Sequence, residues 1–113
     1  MSLAEEKCAP FHAGESPLST QEALDLACDV PNWIVSEKQI DREFRFKNFR
    51  QAMAFVNRVA EIADAQDHHP DIFISYSRAK LTLSTHKVGG LTRNDFILAA
   101  KIDRAADDLG ETS

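Results

Sequence analysis

The chain has 113 residues, of which 43% are hydrophobic and 27% are charged. This size and balance are typical of one globular domain and exclude a long disordered chain. The net charge of −5 argues against nucleic acid as the main partner, because phosphate binding needs a concentrated basic surface and the basic residues here are scattered.

The sequence predicts neither a membrane anchor nor a secreted fold. No apolar stretch is long enough to span a bilayer. The N-terminus carries Glu5, Glu6 and Lys7 and lacks the apolar core of a signal peptide. Cys8 and Cys28 match no metal motif and are too few for a disulfide framework, so we expect two reduced thiols in a cytoplasmic protein.

The chain is expected to form one domain between two loose ends. Residues 1–17 contain Pro10 and Gly14 and show no periodicity, which predicts a flexible N-terminal arm. The domain should span residues 18–110, and residues 111–113 should form a disordered tail.

The first helix is expected to begin near Ser19. Ser19 and Glu22 have the spacing of a capping box, and Leu18 is placed to pack as a staple onto Ala23. The helix should end before Pro31, because proline disfavours helical backbone in the residue ahead of it.

Two strands and a long helix are predicted next. Residues 33–35 are rich in strand-forming side chains. Residues 40–47 alternate between apolar and charged, which indicates a half-buried antiparallel strand on whose apolar face Arg42 is the exception. Residues 48–67 then repeat apolar residues at helical spacing. The predicted buried stripe consists of Phe49, Ala52, Met53, Val56, Val59, Ala60 and Ala63.

A hairpin and a last helix complete the predicted domain. Strands are expected at residues 72–76 and 80–85, joined by a turn at residues 77–79. The third helix should begin at Thr92 and end at Gly110. The resulting order, α-β-β-α-β-β-α, predicts an α+β fold in which helices pack on one face of a four-stranded antiparallel sheet.

The predicted hairpin brings histidines together. If Tyr76 opposes Lys80, then Pro70 opposes His86, so His68 and His69 should lie near His86. Imidazole suits proton transfer near neutral pH, since it titrates at about pH 6.5 in water.

Each of these residues also has a plainer interpretation. His68 could cap the end of the second helix, His86 could be a solvated strand-end residue, and the cluster could instead bind a metal with Asp67, Asp71 or Asp95. Asp95 stands three residues after Thr92, the spacing of a capping box. It could also orient a histidine or bind a ligand.

The sequence resembles the pterin-4a-carbinolamine dehydratase family over roughly residues 18–106. Four motifs in order carry the resemblance: Glu43-x-x-Phe46 followed by Phe49, Asp67-His68-His69-Pro70, Leu83-Ser84-Thr85-His86, and Gly90-Leu91-Thr92-x-x-Asp95. The resemblance implies an α+β fold and dehydration of a 4a-hydroxytetrahydropterin to quinonoid dihydropterin, a step that recycles the cofactor of aromatic amino-acid hydroxylases. It also implies a homodimer or homotetramer; animal members of the family act in addition as dimerisation cofactors of a homeodomain transcription factor.

The resemblance also implies the site residues. The catalytic histidines fall on His68, His69 and His86, and the substrate-binding positions fall on Asp64, Pro70, Thr85 and Asp95. We expect His69 and His86 to transfer protons and His68 to bind the pterin. The sequence departs from the family pattern at Asp64, where animal members often carry Glu, at Ile72, where animal members carry Trp, and at Asn94, where Arg can occur.

The family uses no metal and no organic cofactor, so a chelator should leave the activity unchanged. Two other functions remain open. The same fold could serve as a non-catalytic pterin-binding or protein-dimerisation module, or the histidines could belong to a metal-dependent hydrolase.

Overall fold

The computed structural model describes residues 3–10 and 15–111. Within these ranges the chain forms α1 (Thr20–Ala27), β1 (Ile34–Val35), β2 (Ile40–Arg45), α2 (Phe49–Gln66), β3 (Asp71–Ser75), β4 (Arg78–Leu83) and α3 (Arg93–Asp108). Short 3-10 helices occupy Leu3–Glu5 and His86–Val88. The order α-β-β-α-β-β-α and the antiparallel sheet confirm the predicted fold class.

The sheet has the strand order β1-β2-β4-β3, and its inner face forms the core. Ile40 and Phe44 of β2 pair with Leu83 and Ala79 of β4, and all four side chains are fully buried. From α2, Phe55 packs on Phe44 with a ring-centroid distance of 4.7 Å. The outer face of the same strands carries charged residues, so the helices cover one side of the sheet only.

The local signals place α1 and α2 correctly. Ser19 and Glu22 form the expected capping box, and Asn48 caps α2 by accepting a hydrogen bond from the Gln51 amide, 2.9 Å. The predicted stripe of α2 is partly wrong, because the buried residues of the helix are Ala52, Phe55, Val59 and Ala63. Phe49 and Ala60 are exposed, since the sheet meets a face rotated toward Phe55.

The predicted register of the hairpin is also wrong. β3 and β4 pair through Ser75 and Arg78, so the turn consists of Tyr76 and Ser77 alone. Tyr76 adopts a left-handed backbone with φ 52°, which such tight turns require. Continuing this register would place Pro70 opposite Leu83, three residues before the predicted partner His86.

The described part of the N-terminal arm packs against the domain. Leu3 is buried in the core, and Lys101 of α3 donates to the Ala4 carbonyl, 2.8 Å. The buried residues of α3 include Phe96, Ile97, Leu98, Ala99, Ala100, Ile102, Ala105 and Ala106. Residues 1–2 and 11–14 of the arm and residues 112–113 of the tail lie outside the described residues.

Arg42, the charged residue on the inner face of β2, is matched by two carboxylates. Its guanidinium donates to Asp103, 2.6 Å, and to Glu111, 2.7 Å. It also lies over the ring of Phe44, 4.2 Å from the centroid. The Trp33 indole donates to the same Asp103 oxygen, 2.8 Å. This cluster ties β2 to α3 and to Glu111, which follows that helix.

We expect Arg42→Met to lower the free energy of unfolding by about 2 kcal/mol relative to wild type at pH 7, because two largely buried carboxylates lose their cation. Burial raises the pKa of Asp103 and of Glu111, and the charge of Arg42 opposes that rise. A raised folded-state pKa means that protonation stabilises the fold at low pH and that this contribution is lost as pH rises. The loss in free energy of unfolding relative to wild type, measured by urea titration, should therefore be smaller at about pH 4 than at pH 7. An equal loss at both pH values would contradict this.

Candidate active site

The end of α2 separates two adjacent histidines. Asp67 ends the helix with a left-handed backbone, φ 53°, which aspartate tolerates better than most residues. The His68 amide then donates back to the Ala63 carbonyl, 3.2 Å, as in a Schellman closure. The chain turns so that the His68 side chain is buried, 8% exposed, and the His69 side chain is 57% exposed.

Asp95 is the buried centre of the site. Its carboxylate is fully buried and accepts hydrogen bonds from His68 Nε2 at 2.6 Å, Thr85 Oγ1 at 2.9 Å and the Thr92 amide at 2.9 Å. The Thr92 contact is the backbone half of a helix cap, and the His68 contact fixes an imidazole. Asp95 therefore has both of the structural roles that the sequence left open. Contact with a ligand stays a prediction.

A short loop presents His86 next to this centre. Thr85 pairs with Gly90 in an isolated bridge, in which the Thr85 amide donates to the Gly90 carbonyl, 2.9 Å. Gly89 closes the loop with φ 76°, a conformation that favours glycine. His86 begins the intervening 3-10 helix and is exposed, with its Nε2 3.4 Å from the Ser84 hydroxyl.

The two histidine segments thus meet at Asp95, although the strand register that predicted their meeting is wrong. His68 and Thr85 each bond one oxygen of the same carboxylate, and His69 and His86 are the next residues in the chain. The Thr85 hydroxyl is buried and committed to Asp95. That His69 and His86 line one pocket stays a prediction.

The remaining candidate residues lie around this centre. Asp64 is exposed and accepts a hydrogen bond from His69 Nε2, 2.9 Å, which leaves His69 Nδ1 as a possible proton acceptor. Pro70 is partly buried between His69 and β3. The arrangement offers two exposed imidazoles for proton transfer and one buried imidazole whose Nε2 is held by a carboxylate.

Sequence reasoning missed Gln66 and Asn94, which bind the N-terminal segment beside this site. Asn94 was visible only as a departure from a family pattern, and no local signal in the sequence links either residue to the arm.

For metal binding, the described ranges contain no group of three or more His, Cys, Asp or Glu residues placed to hold an ion. In the same ranges no helix is both long and apolar enough to cross a membrane.

Residues 16–105 match the family described as "Pterin 4 alpha carbinolamine dehydratase". A protein of Rubrobacter xylanophilus is 50% identical over 103 residues, which cover 90% of this chain and 96% of that protein. A protein of Halorhodospira halophila is 47% identical over 105 residues, covering 91% and 96%. Both bear the name "Putative pterin-4-alpha-carbinolamine dehydratase".

Two solved structures share the fold. The transcriptional coactivator/pterin dehydratase from Brucella melitensis superposes with a TM-score of 0.76 and 32% identity, covering 80% of this chain and 99% of that chain. A pterin dehydratase-like protein identified as a RuBisCO assembly factor in the alpha-carboxysome gives a TM-score of 0.56 at 17% identity, covering 86% and 96%. The second likeness shows the fold alone.

Proposed function

Because the chain belongs to the pterin 4 alpha carbinolamine dehydratase family, we propose that it converts a 4a-hydroxytetrahydropterin to quinonoid dihydropterin by histidine acid–base catalysis. In this reaction the C4a–O bond breaks, N5 loses its proton, a C4a–N5 double bond forms and water leaves. The observation that carries the proposal is the buried His68–Asp95–Thr85 assembly, which fixes the two segments bearing the exposed His69 and His86. Its metabolic place would be tetrahydrobiopterin recycling after an aromatic amino-acid hydroxylase.

The chemistry divides between exposed and buried imidazoles. One protonated imidazole assists the leaving hydroxyl, and one neutral imidazole accepts the N5 proton. His69 and His86 suit these steps because both are exposed, and Asp64 orients His69. His68 would contact the pterin through its Nδ1, since Asp95 holds its Nε2. Asp95, Thr85 and Pro70 would shape the binding surface around them.

The test is product formation from a synthetic 4a-hydroxytetrahydropterin, followed by the absorbance of quinonoid dihydropterin. Carbinolamines eliminate water readily on their own, so the rate without protein must be subtracted. Formation above that rate supports the proposal. A protein that binds the pterin in calorimetry yet leaves the rate unchanged would support the second candidate.

That second candidate is a non-catalytic pterin-binding or protein-dimerisation module of the same fold. It is favoured by one relative: the Brucella protein at 32% identity is described as a transcriptional coactivator as well as a pterin dehydratase. A cytosolic location is part of both candidates and is supported by the two cysteines, Cys8 and Cys28, which are free in the structure.

A homodimer or homotetramer is part of the proposal. β3 is an edge strand of the sheet, and an unpaired strand edge tends to pair with another chain. Phe73 of this strand is 65% exposed, and Tyr76 in the adjoining turn is 69% exposed and stacks on Phe49. Apolar side chains thus surround the edge that a second copy could cover.

Light scattering at micromolar concentration should therefore give a mass of two or four chains. Phe73→Glu should weaken the assembly by about 10-fold or more, because it places a charge in the interface. Leu24→Glu is the matched control, since Leu24 is an equally apolar, 51% exposed residue on α1. A wild-type mass of one chain would refute the assembly, and equal effects of the two variants would refute the assignment to this edge.

A further inference from the structure

The N-terminal segment is bound to the domain by a specific set of hydrogen bonds beside the histidines. The Cys8 amide donates to the Gln66 side chain, 2.8 Å. Asn94 accepts from the Ala9 amide, 3.0 Å, and donates to the Ala9 carbonyl, 2.7 Å. One amide side chain that pairs with both backbone groups of one residue fixes the position and direction of the segment. Asn94 is itself buried, 8% exposed, and its bonds to the exposed Ala9 are partly buried.

The segment forms one wall of a cavity of about 240 Å³. Residues 8–10 line one side, and Gln66, Asp67, Lys87 and Asn94 line the other. Pockets that hold a whole drug-sized ligand usually exceed about 300 Å³, so this cavity fits part of a bicyclic substrate or one of its substituents.

Three residues of the opposite wall are chain neighbours of residues of the proposed active site. Asp67 directly precedes His68, and Lys87 directly follows His86. Asn94 directly precedes Asp95, the carboxylate that holds His68. The cavity therefore adjoins the chain segments that carry the proposed site residues.

We propose that residues 8–10 form a wall of the substrate site that selects among pterins by the substituent next to N5, and that Asn94 is the positioning residue for this wall. This inference rests on the proposed dehydratase function. The segment contacts the part of the substrate that does not react, so it acts on binding and discrimination. The proton transfers stay with the histidines.

Asn94→Ala removes both bonds to Ala9 and tests the assignment in the full-length protein. For a 4a-hydroxytetrahydropterin with a dihydroxypropyl substituent, KM should rise about 10-fold, while kcat changes less than about twofold. KM for the 6-methyl analogue should change much less. Asn57→Ala is the matched control, because Asn57 is exposed on α2 and lies nine residues, about 13 Å, before Gln66 along the helix.

Thiol alkylation reports on the docking of the segment without any substrate. Cys8 lies in the segment with its thiol half buried, and burial raises the pKa of Cys8 to about 11, which suppresses the reactive thiolate. Cys28 is exposed and serves as the internal reference. In Asn94→Ala, iodoacetamide should modify Cys8 faster relative to Cys28, and in Asn57→Ala the ratio should match wild type.

A second variant keeps the segment docked and narrows the cavity. Ala9 is exposed at its rim, so Ala9→Phe should fold normally and keep Cys8 protected. It should raise KM for the dihydroxypropyl substrate more than for the 6-methyl one.

Several results would overturn the inference. One is unchanged KM values in an Asn94→Ala protein whose Cys8 has become reactive. Another is a loss of kcat with constant KM, which would assign Asn94 to the support of Asp95. A third is an equal change in KM for both substrates in Ala9→Phe. Failure of the proposed function is a separate outcome, since wild-type protein would then accelerate neither reaction. In that case calorimetry compares the binding of the two tetrahydropterins to the same variants. Equal losses of affinity for the two compounds would refute the proposal that residues 8–10 select among substituents.

Discussion

Replacing His86 with alanine should lower the rate of dehydration by about 10²-fold or more, the usual effect of losing one positioned proton transfer. The fold should be retained, because the His86 side chain is exposed and its contact within the described structure is a long one, 3.4 Å, to Ser84. A surface substitution of this kind changes the free energy of unfolding by about 0.5 kcal/mol or less. Initial rates after subtraction of the spontaneous reaction, with urea unfolding in parallel, measure both effects.

Lys80→Ala is the control for this variant. Lys80 is exposed on β4, so its loss should change neither rate nor stability appreciably. Oligomer size should be the same in wild type, His86→Ala and Lys80→Ala. Near-normal catalysis by folded His86→Ala would mean that this histidine is a solvated loop residue, and it would favour the binding-module candidate.

Asp95→Ala should destabilise the protein by about 3 kcal/mol and lower the rate by about 10-fold or more. The carboxylate is fully buried and accepts three hydrogen bonds, so its removal leaves the donors of His68, Thr85 and Thr92 without their partner. It also releases His68 and Thr85, the residues that position His69 and His86. A displacement of about 1 Å at reacting groups is enough to cost a large factor in rate. Urea unfolding and initial rates provide the two measurements.

Asp95→Asn separates the structural role from the role of the histidine. The amide oxygen can still accept from Thr92 and Thr85, but the amide nitrogen then donates toward His68 Nε2. His68 must become the Nδ1-protonated tautomer, which nitrogen-15 NMR of the imidazole detects. We expect this variant to lose less stability than Asp95→Ala and to show the tautomer change. An unchanged tautomer together with full stability in both variants would contradict the contact geometry.

The fold was predictable where the signals are local. Ser19 and Asn48 stand where helix caps are needed, and the alternation of β2 separates Ile40 and Phe44 from the charged residues. These features depend on backbone groups and side-chain periodicity within a few residues. The helices, the strands and the buried face of the sheet can therefore be predicted from short stretches of sequence.

The hairpin register was not predictable in the same way. A two-residue turn at Tyr76 and Ser77 lacks the glycine or asparagine that usually marks such a turn, because Tyr76 itself adopts the left-handed backbone. Phe73 on the outer face also weakens the alternation of β3. The turn was therefore placed too late in the chain, and both strands were shifted with it.

The two histidine segments meet despite this error, because a tertiary contact brings them together. Asp95 lies 27 residues from His68 and 10 from Thr85, and no pattern in the sequence states that one carboxylate bonds both. The motif resemblance marked both segments, but their connection through Asp95 became visible only in the structure. The same holds for Asn94 and Ala9, which are 85 residues apart.

The decisive measurement for the proposed dehydratase function is the initial rate of quinonoid dihydropterin formation by wild-type protein, determined at several protein concentrations at pH 7 with EDTA present. We expect a rate above the spontaneous one that rises in proportion to the protein concentration and saturates with 4a-hydroxytetrahydropterin. A rate equal to the spontaneous one at every protein concentration would contradict it.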